Sequence, residues 1–107
     1  MEIAQYSIVL VNLEPTLGHE INKTRPCVVI SPDEMNKYLQ TIVVAPMTSK
    51  SRDYPTRVPV KHNRKNGWVV LDQIRTIDRL RVMKILGALE EKEILKVKSI
   101  LRETYID

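Results

Sequence analysis

Val82-Met83-Lys84-Ile85-Leu86-Gly87, followed by Glu90-Glu91-Lys92-Glu93-Ile94-Leu95-Lys96-Val97-Lys98-Ser99-Ile100-Leu101, is the stretch that decides the fold. Its first part, Val82 to Gly87, has the aliphatic content of a last β-strand. In its second part Ile94, Val97 and Leu101 fall at i, i+3 and i+7, with Ile100 and Leu95 widening the stripe, which predicts a helix from Glu90 to about Tyr105. Glu90, Glu91 and Glu93 crowd the first turn, while Lys96, Lys98 and Arg102 follow, an order that complements the helix dipole. The chain changes character once, here, from strands and loops to helix.

Working back from that boundary, Thr76 to Arg81 predicts a short helix or turn, and Trp68 to Leu71 a strand. Asn66-Gly67, inside the polar stretch Asn63 to Gly67, matches a tight hairpin signal. Thr56 to Val60 alternates, with Val58 and Val60 on one face, and Pro55 and Pro59 assign this strand to an edge. Thr41 to Pro46, Cys27 to Ser31 and Tyr6 to Leu13 complete the strands, and Asp33 to Lys37 predicts one helical turn. Pro15 and Gly18 open a polar loop, Thr16 to Thr24. The pattern is mainly β with helices, an α+β chain whose small barrel-like sheet of about five to seven strands is closed by the C-terminal helix.

No repeat or linker divides the 107 residues, so a single domain over 1–107 is expected. Apolar residues make up 43%, which supports a true core. With four Tyr, one Trp and no Phe, Val, Ile and Leu must fill that core, and Trp68 is expected inside it. The charge of +4 and pI near 9.3 favour a polyanionic or acidic partner. One cysteine, Cys27, excludes an internal disulfide framework and any multi-cysteine zinc site, and its apolar neighbours predict a buried, inert thiol. Without a long apolar span or a signal-like start, a cytoplasmic location is expected.

Three polar segments interrupt the strands: His19 to Arg25, Thr48 to Arg52 and Asp72 to Arg79. Loops of this kind can converge at one end of a barrel. The three glycines are isolated, so no phosphate-binding glycine loop exists. His19 and His62 do not form a metal-ligand spacing, and no Gly-x-Ser-x-Gly elbow occurs. RNA cleavage demands less, because the substrate brings its own 2′-hydroxyl nucleophile. The protein must align it, stabilise charge on the phosphate and allow two proton movements. An arginine fork such as Arg25 and a hydroxyl such as Thr48 form a minimal kit for that task.

Asn12-Leu13-Glu14-Pro15-Thr16-Leu17-Gly18-His19-Glu20 and Lys23-Thr24-Arg25-Pro26-Cys27-Val28-Val29-Ile30-Ser31 together resemble the opening signature of the MazF/PemK (Kid) toxin ribonucleases. Val44-Ala45-Pro46-Met47-Thr48-Ser49 resembles that family's strand ending in P-x-T, and Asp72-Gln73-Ile74-Arg75-Thr76-Ile77-Asp78 its D-Q-x-R-T-I-D motif. The three motifs keep their order from about residue 6 to 105. The resemblance implies an SH3-like barrel, a homodimer, and cofactor-free and metal-free cleavage of single-stranded RNA at short sequences. It further implies ends bearing a 2′,3′-cyclic phosphate and a 5′-hydroxyl, and an antitoxin partner with an acidic tail.

Carried over by motif, Arg25 and Thr48 are the catalytic pair. The high pKa of its guanidinium makes Arg25 an electrostatic clamp rather than a base. His19, Glu20, Ser49, Lys50, Asp72, Gln73, Arg75 and Thr76 are the expected RNA contacts. Thr48 also has a plainer reading as a hydroxyl tying down its own loop. The chain departs from the family at Val70, where some relatives carry an arginine paired with the D-Q aspartate, at Ile21 after Glu20, and at Glu14 in place of the D-P aspartate. Two other readings stand beside the nuclease: a CcdB-like inhibitor of DNA gyrase on the same fold, and a non-catalytic RNA-binding module.

Overall fold

Val9, Val11, Cys27, Val29, Ile42 and Val44 interleave with Ile8, Val28 and Ala45 along three neighbouring strands, and both sets are buried. A sheet covered on both faces requires apolar residues at consecutive positions, which these β-branched runs provide. The structure, a computed structural model, describes residues 1–107. In chain order the elements are β1 (Ser7–Asn12), β2 (Thr24–Val29), α1 (Asp33–Tyr38), β3 (Thr41–Thr48), β4 (Arg57–His62), β5 (Lys65–Val70), β6 (Arg75–Asp78), β7 (Val82–Ala88) and α2 (Glu91–Tyr105). Single 3-10 turns occupy Leu71–Gln73 and Arg79–Arg81.

All seven strands belong to one curled sheet in the order β4-β5-β3-β2-β1-β7, with β6 paired to β3 off that path. β3 is the hub, since its first half pairs β6 and its last two residues pair β5. The expected barrel takes the form of a half barrel, because the end strands β4 and β7 are not hydrogen-bonded to each other. His62 of β4 nevertheless packs on Gly87 of β7, where an added Cβ would lie 3.1 Å from the imidazole Cε1. A side chain at residue 87 would require the His62 ring to shift by a few tenths of an ångström.

One core cluster fills the space between the sheet, the β4–β5 hairpin and α2, and includes Ile8, Val28, Met47, Val58, Val69, Leu71, Val97 and Ile100. The other lies on the opposite face, with Val9, Val11, Leu13, Cys27, Val29, Ile42, Val44, Ile77 and Val82. Each fully buried Val or Ile contributes about 1.5–3 kcal/mol of transfer free energy. Helix α2 starts with a reciprocal capping box between Glu90 and Glu93.

Several sequence expectations are corrected. The hairpin turns at Asn63-Arg64, both with positive φ (52° and 63°), rather than at Asn66-Gly67. Two consecutive left-handed residues are what a two-residue hairpin loop requires. Gly67 instead sits inside β5, where a Cβ would come within 3.3 Å of the Thr48 carbonyl oxygen. Thr76 belongs to strand β6, opposite Val43, because pairing with the long β3 overrides local turn propensity. Only Arg79–Arg81 forms the expected turn, capped by the Asp78 side chain accepting from Leu80 N. Leu95 faces solvent, 61% exposed, while Glu93 takes the buried place on α2. Trp68 is only half-buried on β5, not a core residue.

Candidate active site

Cys27 pairs with Pro46 and Val28 with Ala45 in the antiparallel β2–β3 ladder. Carrying that register two residues further sets Arg25, near the start of β2, opposite Thr48, the last residue of β3. Side chains alternate along strands, so both share the face of Cys27 and Pro46 at the open end of the sheet. The two residues line one cleft of about 260 Å³ together with Pro26, Met47, Ser49 and the hairpin residues His62, Lys65, Asn66 and Gly67. No carboxylate lines it, and Arg25 and Lys65 give it positive charge. It is suited to an anion.

The loop before β2 is braced so that Arg25 is aimed. Lys23, at φ 68°, donates its backbone N–H to Glu14 Oε1 at 2.8 Å, and Leu13 N donates to Lys23 O at 3.0 Å. Glu20 Oε1 accepts from Leu17 N at 2.6 Å. The Arg25 Nε donates to Asn22 O at 2.8 Å, which fixes the guanidinium plane and leaves its two terminal NH₂ groups without a partner in the chain. Thr48 Oγ1 makes two long contacts within its own loop, accepting from Lys50 N at 3.2 Å and donating to Lys50 O at 3.3 Å. Bonds of that length are weak and exchangeable.

A second hollow of about 400 Å³ collects His19, Glu20, Ile21, Pro46, Asp72, Gln73, Ile74 and Arg75. The three polar segments thus converge in pairs, with the His19–Arg25 loop contributing to both hollows. Gln73 Oε1 accepts from Ile21 N at 2.8 Å, and Arg75 donates to Leu13 O at 3.1 Å, so both also hold the first loop in place. Asp72 accepts from Arg57 Nε at 3.2 Å, Arg57 NH2 at 3.3 Å and Thr56 Oγ1 at 2.9 Å. Burial alone would raise its pKa, but the hydrogen bonds from Arg57 and Thr56 and the Arg57 charge outweigh that and hold it below the usual value. Arg57 also donates to Ser51 Oγ at 3.0 Å and stacks on the Tyr54 ring, tying down the loop after Thr48. Lys50 and Thr76, expected as RNA contacts, line neither hollow.

Sequence reasoning did not bring His62, Lys65, Asn66 and Gly67 to this cleft. The stretch had the composition of a turn, and nothing in it indicates that the hairpin folds over Arg25. The Nε2 of His62 is buried without a hydrogen-bond partner. Cys27 lies beneath the site, fully buried, and burial pushes its thiol up to about 12 despite the opposing charges of Arg75 and Arg25. No three His, Cys, Asp or Glu side chains come together as a metal set would.

The sequence profile of the PemK-like, MazF-like toxins of type II toxin–antitoxin systems matches residues 4–105. The chain belongs to the MazF/PemK toxin family. A relative called endoribonuclease MazF, from Staphylococcus epidermidis, is 32% identical over 105 residues, covering 92% of this chain and 88% of its own. Crystalline MazF from Deinococcus radiodurans superposes with a TM-score of 0.86 at 27% identity, covering 96% of each chain. The same organism's MazE–MazF complex matches at 0.80 and 27% identity, covering 96% of this chain and 95% of the other. Val70, two residues before Asp72, is buried, and the arginine on Asp72 is Arg57, which stands opposite Val70 in the β4–β5 ladder.

Proposed function

We propose that this MazF/PemK-family chain is an endoribonuclease toxin that cuts single-stranded mRNA by internal transesterification. It acts as a homodimer in the cytoplasm and is held in check by a cognate antitoxin. The observation that carries the reading is the shared cleft of Arg25 and Thr48, with the arginine's terminal NH₂ groups free to bind. The name of the S. epidermidis relative and the MazE–MazF complex of D. radiodurans support the same reading.

In this mechanism the ribose 2′-oxygen attacks the adjacent phosphorus and loses its proton, forming the 2′-O–P bond. The P–5′-O bond breaks, and the departing oxygen takes up a proton. A 2′,3′-cyclic phosphate and a 5′-hydroxyl result, with no change of oxidation state and no water consumed. The Arg25 fork binds the non-bridging oxygens and stabilises the charge that grows on them. Thr48 gives up its weak contact to Lys50 O and donates its hydroxyl hydrogen to the same phosphate. Asp72 is a poor base, because its carboxylate is engaged by Arg57 and Thr56 and its pKa is lowered. His19, Glu20, Ser49, Asp72, Gln73 and Arg75, which line the two hollows, would contact the strand on either side and set the sequence preference, while Lys50 and Thr76, outside both, would meet it only further along.

Incubation of the purified protein with RNA in EDTA tests this. Fragments with cyclic phosphate and 5′-hydroxyl ends, absent with Arg25→Ala, are the expected result. Intact RNA with inhibited gyrase would transfer the function to the CcdB-like reading, and RNA binding without cutting to a binding module.

A further inference from the structure

We propose a second nucleic-acid subsite, outside the cleft, that takes nucleotides flanking the scissile bond; it rests on the ribonuclease reading above. The site is a groove of about 650 Å³ between the β4–β5 hairpin and the start of α2. Trp68, Lys61, Lys92 and Lys96 line it over an apolar floor that includes Val58 and Val60. Asn66 and Gly67 line both this groove and the Arg25–Thr48 cleft, so the two adjoin at β5.

The charge of the groove is less balanced than its residue types suggest. Its one carboxylate, Glu93, is buried and faces the backbone, with Oε1 accepting from Glu90 N at 2.8 Å and Oε2 from Lys61 N at 2.9 Å. None of the three lysines forms an ion pair, since the only salt bridge in the chain joins Arg57 and Asp72. Three exposed, unpaired lysines and a half-buried indole, the chain's only tryptophan, therefore line one groove. Cations tracking a backbone beside an aromatic surface on which a base stacks are the combination that binds single-stranded nucleic acid without reading its sequence. Strand leaving the cleft past Gly67 would place a base on Trp68 and phosphates near Lys61, Lys92 and Lys96.

The test compares 2′-O-methyl RNA oligonucleotides, which cannot be cut, of two lengths. The short one fills the cleft alone and the long one extends over the hairpin. Expected for the wild type are at least tenfold tighter binding of the long probe and quenching of Trp68 emission by that probe only. In a K61A/K92A/K96A variant, shown to be folded by circular dichroism, the affinity ratio falls toward one. The salt slope for the long probe drops by about 2, at roughly 0.7 per lost phosphate contact. Trp68→Leu costs about tenfold on the long probe. An unchanged ratio and slope in the triple variant would overturn the proposal, as would Trp68 emission that responds to an acidic peptide and not to RNA. If the wild type cuts RNA while the ratio is indifferent to these lysines, the subsite fails alone. If it never cuts RNA yet quenches and binds the long probe through them, the subsite stands and the nuclease reading fails.

Discussion

Replacing Glu93 with alanine tests how α2 is fastened to the sheet. Its side chain is 9% exposed and carries two backbone hydrogen bonds, one to Glu90 N within the helix cap and one to Lys61 N on β4. Loss of the cap contribution costs about 1 kcal/mol. Leaving the Lys61 N–H without its acceptor costs about 1–2 kcal/mol more. Lost burial of the side-chain methylenes adds about 0.8 kcal/mol per CH₂. The expected destabilisation is about 3–4 kcal/mol, a large share of the ~5–15 kcal/mol available to a domain of this size. The melting midpoint should drop by roughly 10–20 °C. Glu93→Gln keeps one acceptor oxygen but turns an NH₂ toward the other N–H, so its cost should fall between wild type and alanine. Urea unfolding followed by Trp68 fluorescence at fixed protein concentration measures the loss, and amide exchange at Lys61 and Glu90 should accelerate in the alanine variant. A loss under about 0.5 kcal/mol, or a glutamine variant as stable as wild type, refutes the reasoning.

Cys27 should not react with a thiol reagent in the folded protein at pH 8, because its thiol is buried and its pKa is about 12; in urea it should label fully. Rapid labelling of the native protein would contradict its placement under the site. Asp72→Asn should destabilise by about 1 kcal/mol at pH 7, a figure kept small because the ion pair is partly solvated. The folded pKa of Asp72 lies below its unfolded value, so its stabilisation is present above the unfolded pKa. It disappears as pH falls through the folded one. Urea titrations at pH 7 and near pH 3 should therefore show the wild-type advantage shrinking with acid, and an advantage that grows would refute the assignment.

Periodicity is sufficient for the helix and for every strand except β6, because burial on one or both sides leaves a direct trace in residue type. Cys27-Val28-Val29 announced a strand covered on both faces, and Val58 and Val60 a strand with one buried face. The motifs placed Arg25 and Thr48 as candidates, but their opposition at the sheet end depends on the β2–β3 register, which no local pattern encodes. The turn at Asn63-Arg64 was hidden by the stronger-looking Asn66-Gly67, whose glycine answers a close approach of β3 rather than a bend. Strand β6 was missed because four residues pairing with a distant strand carry little local signal. The cleft contributions of His62 and Lys65 and the inward turn of Glu93 arise from long-range packing, and sequence spacing does not report them.

The most direct measurement is a double-mutant cycle on the single-turnover cleavage rate of one RNA in EDTA, with wild type, Arg25→Ala, Thr48→Val and the double variant. If both side chains act on one phosphate, each single change should cost on the order of 10²-fold or more. The double variant should then lose clearly less than the product of the two. Losses that multiply independently, or rates left intact by either change, would contradict a shared phosphate site.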